Sequence, residues 1–213
     1  MEKGISIVMP HAINPENDRV LALNQKMIKE NSHGQVEILT LGNTMRPDLV
    51  YEGWNYLISK AKFEHVLWHN TDLLLAPEWD KPIAGLMETI DWLSLRVVEC
   101  GAIGVANTMV CRDYGRTAAD FDRKGFEKFV ENEIAQRPPV EAGWVWYCPS
   151  VLKKSKFLEL GGFMTQPAFP NPNDINFKIR AETAGWKFGI SNHSWAYHLQ
   201  RGHIHQGLQQ ERT

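Results

Sequence analysis

Residues 65–80, HVLWHNTDLLLAPEWD, decide how this chain folds. Val66, Leu67 and Trp68 form a short apolar run that reads as the end of a buried strand. His69, Asn70, Thr71 and Asp72 follow, and Leu73 to Leu75 are apolar again. An acid set between two core segments costs free energy unless something compensates it. Asp72 is therefore either a solvated turn acid ahead of Ala76-Pro77 or a carboxylate delivered to a sheet edge for a ligand.

Upstream of this stretch, strand and helix patterns alternate. GISIVMP (4–10) is rich in β-branched residues and stops at Pro10, which predicts a first strand. Between Asp18 and Glu30, Val20, Leu21, Leu23, Met27 and Ile28 give an amphipathic helical pattern. QVEILTL (35–41) predicts a second strand, ended by Gly42-Asn43. Pro47 and Asp48 open a helix whose apolar residues Val50, Trp54, Leu57, Ile58 and Ala61 form one stripe. EHVLWH (64–69) is the third strand. This alternation predicts an α/β fold with a mostly parallel sheet and right-handed crossovers.

Downstream the pattern is less regular. DWLSLRVV (91–98) and GAIGVANTMVC (101–111) predict strands, and 117–136 predicts a charged helix ending at Pro138-Pro139. GWVWYCPSV (143–151) reads as a strand running into LKKSKFLELGGF (152–163), a short helix closed by Gly161-Gly162. A proline-containing loop leads to a helix from about 174 to 184. WKFGI (186–190) and SWAYHL (194–199) predict two further strands. With no linker, repeat or low-complexity segment, 1–213 is expected to be a single domain.

The bulk properties narrow the class. The 213 residues are 43% hydrophobic and 23% charged, with a net charge of −2, so no global attraction to nucleic acid or membrane is expected. No apolar run reaches the roughly 18 residues of a membrane span, and MEKGISIVMP carries no signal-peptide core. Cys100, Cys111 and Cys148 lack CxxC spacing and read as thiols of a reducing, cytoplasmic compartment. Eight tryptophans supply either core bulk or rings that stack on a flat ligand or sugar.

In open parallel sheets, ligands bind beyond the carboxyl ends of the strands. Pro10-His11, Gly42-Asn43 and Asn70-Thr71-Asp72 lie at such ends. Neither GxGxxG nor GxxxxGK[ST] occurs, so a phosphate-bearing ligand needs another device, and a metal held by a carboxylate is one.

Several stretches together resemble one family. ISIVMPHAIN (5–14), EGWNYLISKAKFEHVLWHNTD (52–72), YCPSVLKKSKFLELGGF (147–163), NDINFKIRAETAGWKFGI (173–190) and SWAYHLQRG (194–202) occur in the order seen in GT-A fold glycosyltransferases of the large inverting family 2. The resemblance implies a Rossmann-like GT-A fold, with 1–98 as the nucleotide-sugar half and 99–213 as the acceptor and catalytic half. It implies a nucleoside-diphosphate sugar as donor and Mn²⁺ or Mg²⁺ held by Asp72 and His198. Asp174, at a helix start, would be the general base. Pro10, His11, Asn14, Asn43, Asn55, Asn70, Arg180 and Arg201 would face the donor. Trp146, Gly161, Gly162, Phe163 and Asn173 would face the acceptor. His203 and His205 lack the cysteine or acid spacing of a zinc site.

The departures from the family pattern also carry information. Gly42-Asn43 stands where an acid usually meets the nucleotide base, which leaves the base open. Asn70 replaces the first acid of the DxD motif, and Asn173 and Asn176 replace acids around Asp174. Such changes fit a bacterial or phage enzyme with a glycan acceptor or, as a subcase, a hydroxymethylated DNA base. The DNA subcase requires Lys153, Lys154 and Lys156 to form one face around the crevice. The alternative is a non-catalytic nucleotide- or sugar-binding module with a degenerate GT-A site.

Overall fold

The computed structural model describes residues 3–43, 50–101, 110–143, 148–165 and 173–199. The first half follows the sequence pattern: β1 (Ile5–Ala12), α1 (Pro15–Asn31), β2 (Val36–Asn43), α2 (Val50–Lys60), β3 (His65–Trp68) and β4 (Leu73–Leu75). Then come α3 (Ile83–Leu86), β5 (Trp92–Glu99), β6 (Val110–Cys111), α4 (Arg123–Ile134) and β7 (Val140–Ala142). The chain continues through β8 (Ser150–Lys153), α5 (Lys154–Glu159), α6 (Asn173–Thr183) and β9 (Phe188–His198).

All nine strands among the described residues join one sheet, ordered β2-β1-β3-β8-β5-β9-β4, with β6 on β5 and β7 on β9. β1 pairs in parallel with β2 and β3, and β5 in parallel with β9. β8 is antiparallel to β3 and β5, and β4 is antiparallel to β9. β6 is parallel to β5 and β7 antiparallel to β9; the long ladders, β1 with β2 and β5 with β9, are parallel, so the sheet is mixed and mostly parallel.

Alternation along the strands divides the core. Ile5, Ile7, Met9, Leu67, Leu93 and Leu95 pack with Ile28 of α1 and Ile83 of α3 on one face. Val8, Val66, Trp68, Trp92 and Leu152 meet Trp54, Leu57 and Ile58 of α2, Phe157 of α5 and Phe177 of α6 on the other. α4 lays Phe126 and Val130 over Leu74, Val98, Trp195 and Tyr197. Burying each such side chain stabilises the fold by about 1.5–3 kcal/mol before entropy is counted. The six described tryptophans, Trp54, Trp68, Trp79, Trp92, Trp186 and Trp195, are all buried, so these supply core bulk rather than sugar-stacking rings.

Several boundaries differ from the sequence expectation. α4 begins at Arg123 rather than near 117, and the helix expected over 152–163 is α5 alone, after the end of β8. β4, α3 and β7 were not expected, and the parts of the expected strands across 102–109 and 144–147 fall outside the described residues. The two strands predicted over 186–199 are a single strand, β9. Its polar interruption SNHS reads as a turn, yet Ser191, Asn192 and Ser194 are fully buried. Their hydrogen bonds explain this: Ser191 Oγ donates to Ser194 Oγ (2.9 Å), and Ser194 Oγ donates to Trp79 O (2.6 Å). Asn192 accepts from Arg96 Nε (2.7 Å) and donates to Pro138 O (2.9 Å). The ladder absorbs the extra residues as a bulge, its register shifting between Leu95 and Arg96. Satisfied polar groups can be buried, and periodicity alone cannot reveal that.

Candidate active site

The parallel strands place β1, β3, β5 and β9 with their carboxyl ends at one edge of the sheet. Asp72 sits there, in the tight turn between β3 and β4 that Leu73 N closes on Asn70 O (3.3 Å). Asn24, fully buried on α1, fixes this turn by donating through Nδ2 to Thr71 O (2.7 Å) and Leu73 O (2.8 Å). Leu199 N donates to Asp72 O (3.0 Å), tying the turn to the end of β9.

β9 delivers His198 to the same point, with Glu99 of β5 as its cross-strand partner. His198 Nε2 lies 3.2 Å from Asp72 Oδ2, and Nδ1 lies 2.8 Å from Glu99 Oε2. Burial by itself would lower the imidazole's pKa. The Asp72 and Glu99 carboxylates outweigh it and hold the ring up at about 10. His69, one turn earlier, has no such pair, and burial pushes it down to about 4, so it is neutral.

Asp174 stands in the first turn of α6, half-buried, with Oδ1 accepting the Ile175 N–H at 2.8 Å. Burial raises its pKa, while the backbone N–H groups and the Tyr51 hydroxyl act in the opposite direction. Cys148, ahead of β8, lies between the two acids. Its Sγ is 3.5 Å from Trp68 O, burial pushes its pKa up, and both Asp72 and Asp174 add to that rise. The Cys148 thiol is thus within electrostatic reach of both carboxylates.

The remaining predicted residues fall into three groups. Pro10 and His11 end β1 at this edge, with His11 Nε2 3.9 Å from Asp18 Oδ1. Asn14 is the N-cap of α1 and accepts from Asn17 N at 2.9 Å. Asn70 is part-exposed in the Asp72 turn, and the backbone of Asn43 closes β2 opposite Ala12. The side chain of Asn43, and all of Trp146 and Arg201, lie outside the described residues.

The second group forms a framework. Asn55 of α2 grips the backbone of Phe163 at two points, Nδ2 to Phe163 O (2.8 Å) and Phe163 N to Oδ1 (2.9 Å). Arg180 donates from Nη1 to Leu160 O (2.6 Å), from Nη2 to Gly162 O and from Nε to Asn176 Oδ1 (3.0 Å). Gly161 and Gly162 turn at φ 78 and 70, and a Cβ on Gly162 would meet Asn55 Oδ1 at 2.7 Å. Phe163 is 2% exposed among Trp68, Phe157 and Phe177. Asn55 and Arg180, expected to face the donor, have their polar groups committed to this turn, and Phe163, expected to face the acceptor, is buried in the core. Asn173 is also buried, at the start of α6.

The third group is the lysines. Lys153 pairs opposite His65, at the end of β3 away from Asp72. Lys153 and Lys156 Nζ each lie 2.9 Å from an oxygen of Asp91, and Lys154 Nζ donates to Ala61 O (2.6 Å). They form no basic face around the crevice, which corrects that requirement of the DNA subcase.

Glu99, Asn24 and Tyr51 were not anticipated. Glu99 had a usable signal, since it ends the apolar run WLSLRVV as Asp72 ends VLW. Asn24 interrupts the buried stripe Val20, Met27, Ile28 of α1. Tyr51 had none.

The residues fit a divalent ion with two protein ligands. Asp72 Oδ2 and His198 Nε2, 3.2 Å apart, match two adjacent ligands on an octahedral ion with bonds of about 2.1 Å. Glu99 lies behind the ring on Nδ1, the partner a metal-bound histidine normally has. Among the described residues no three His, Cys, Asp or Glu side chains converge as metal ligands, so the donor's phosphates and water would complete the shell.

No family model matches the chain, and no curated protein matches it in sequence. Solved structures do. The crystal structure of S. aureus TarS 1–349 superposes with a TM-score of 0.59 at 11% identity, over 92% of this chain and 60% of that one. A second S. aureus TarS structure gives 0.61 at 11%, over 92% and 36%. GalNAc-T7 with UDP, GalNAc and Mn²⁺ gives 0.50 at 12%, over 92% and 43%. These are GT-A type glycosyltransferases, and the likeness establishes the GT-A fold for this chain. The chain spans 60% or less of the length of each. No described helix is long and apolar enough to cross a membrane.

Proposed function

We propose that the chain is a metal-dependent inverting glycosyltransferase of the family 2 type. It would move a sugar from a nucleoside-diphosphate sugar to a hydroxyl acceptor, with residues 1–98 serving mainly the donor and 99–213 the acceptor. The observation that carries this reading is the contact of Asp72 with His198, backed by Glu99, at the sheet edge of a GT-A fold.

When bound, Mn²⁺ or Mg²⁺ supplies Lewis acidity toward the leaving diphosphate. Asp72 and His198 hold it, and Glu99 fixes the histidine tautomer by accepting the Nδ1 proton. Mn²⁺ suits the nitrogen ligand better, and Mn²⁺ accompanies the GalNAc-T7 structure. Asp174 takes the proton from the acceptor hydroxyl as that oxygen forms the bond to the anomeric carbon. Its position at the start of α6 favours the carboxylate, while burial raises its basicity, and both suit a general base. The acceptor is a glycan hydroxyl, since the lysines that a DNA strand would need stand at the far end of the sheet. A soluble, cytosolic setting fits this donor chemistry.

The test combines melting and turnover. UDP, GDP, CDP, TDP and ADP are each added with and without Mn²⁺. Ligand at 100 times its Kd stabilises by about 2.7 kcal/mol, a shift of roughly 5–10 °C for a chain of this size. A Mn²⁺-dependent shift with one nucleotide is expected, lost in Asp72→Asn. Asp174→Asn keeps that shift and loses donor turnover by about 100- to 10,000-fold. Nucleotide binding with no turnover by the unmodified protein would favour the binding-module alternative, and near-normal turnover in Asp174→Asn would remove the mechanism.

A further inference from the structure

We propose that Asn24 and Asn31 of α1 set the register of β4 against β9, and that Asn24 is thereby a positioning residue for Asp72. β4 is the last strand of the sheet among the described residues, paired with β9. On that side Leu199 N donates to Asp72 O (3.0 Å) and Ala76 N to Trp195 O (3.0 Å). The carbonyls of 71, 73 and 75 therefore point the other way, toward the open edge of the sheet. α1 receives them there. Asn24 Nδ2 donates to Thr71 O (2.7 Å) and Leu73 O (2.8 Å), and Asn31 Nδ2 donates to Leu75 O (2.7 Å). The two asparagines lie about two helical turns apart on the buried face of α1. Their amides stand where the N–H groups of a further strand would otherwise pair.

Apolar pattern cannot fix this register. β4 is Leu73-Leu74-Leu75, buried throughout, so a slip by one residue exchanges leucine for leucine and hydrophobicity does not oppose it. The same slip carries Asp72 about 3.4 Å along the strand and turns it to the other face. Asp72 Oδ2 would then leave His198 Nε2, which it meets at 3.2 Å. Asn24 also holds its place at a cost. Its Oδ1 is buried with no hydrogen-bond partner among the described residues, whereas Asn31 Oδ1 accepts from Arg123 Nη2 (2.8 Å). A flipped Asn24 amide would set that oxygen against the Thr71 and Leu73 carbonyls, so the orientation is determined. Leucine at 24 would continue the apolar stripe of Val20, Met27 and Ile28, and the amide serves the turn instead of the core.

The link to the ion rests on the reading of Asp72 given above; the register does not. The experiment is NMR on the full chain without metal, comparing the unmodified protein with Asn24→Leu and with Asn24→Ala, which adds no bulk. Leu73 with His198 and Leu75 with Ala196 are the closely spaced, non-hydrogen-bonded pairs of this ladder, so their Hα protons give strong NOEs. Both NOEs are expected to weaken or move to neighbouring residues in the variants, while the β1–β2 ladder, Ile7 with Ile38 among its pairs, keeps its own. Unchanged NOEs in whichever variant folds would overturn the proposal. Binding of Mn²⁺ alone is then measured on the same proteins, and its Kd is expected to rise by about 10- to 100-fold in the Asn24 variants. Asp91→Asn, at the far end of the sheet, is expected to keep the unmodified Kd; an equal rise there would overturn the link to the ion. Shifted NOEs with no Mn²⁺ binding by the unmodified chain would uphold the register role and remove the metal reading.

Discussion

On the proposed reading, a divalent ion bound by Asp72 and His198 would have to expel a proton from the imidazole. The ring between Asp72 and Glu99 has its pKa held at about 10, against 6.5 for an ordinary histidine. At pH 7 the protonated ring therefore outnumbers the neutral one by about 1,000 to 1, since each pH unit is a factor of ten. A metal ligand must be neutral, so apparent affinity is reduced by about that factor and recovers tenfold per pH unit. Between pH 7 and 8.5 the Kd for Mn²⁺, measured with saturating UDP, falls by about 30-fold. Titration calorimetry in two buffers of different ionisation enthalpy counts the released protons directly, and the expected number is close to one. Thermal stability of the metal-free protein carries the opposite sign. A raised folded pKa stabilises fully below about pH 6.5 and is lost as pH rises through about 10, so the apo protein weakens over that window and the ion restores it. A flat Kd with no proton released would remove His198 from the ligand set.

Two stability predictions bear on the framework. Gly162→Ala forces a side chain into φ 70 and drives its Cβ to 2.7 Å from Asn55 Oδ1. Backbone strain of about 1–2 kcal/mol plus loss of the Asn55 clamp should cost roughly 2–4 kcal/mol in urea melts; a loss below about 1 kcal/mol would mean the turn relaxes freely. Asp91→Asn tests the far end of the sheet. Burial alone would raise the Asp91 pKa, but Lys153, the Lys187 N–H and Lys156 hold it at about 2 against 3.8. That depression contributes on the order of 2 kcal/mol above about pH 4, lost as pH falls toward 2, with some discount because Lys156 is 37% exposed. The variant should melt lower than the unmodified protein at pH 7 and converge with it near pH 2.

The parts of the fold that were legible are those where one physical signal dominates. The stripe of α2 and the strand runs at 5–12 and 92–99 bury continuous apolar surface, and no competing arrangement explains them. The second half was harder, because β8 inserts antiparallel between β3 and β5 and β9 carries a buried polar bulge. Both depend on partners distant in sequence. The site divides in the same way. Asp72 could be named from residue type at a strand end and His198 from the family resemblance, and the two side chains meet. Asn55, Arg180 and Phe163 belong to the same motifs, yet their donors and rings are committed to the Gly161-Gly162 turn. A motif records which residues occur together, not whether they face a ligand or each other.

Two of the asparagines that stand where the resembled family has acids, Asn176 and Asn70, can be read from these partners. Asn176 supplies the oxygen that receives Arg180 Nε, and Arg180 in turn holds Leu160 O and Gly162 O, a task that needs an acceptor and not a charge. At position 70 a second acid beside Asp72 would add a negative charge to a site that already has two, because Glu99 reaches the same imidazole from behind. On the proposed reading, Glu99 of β5 supplies from behind the imidazole the carboxylate that a DxD motif would place beside the ion.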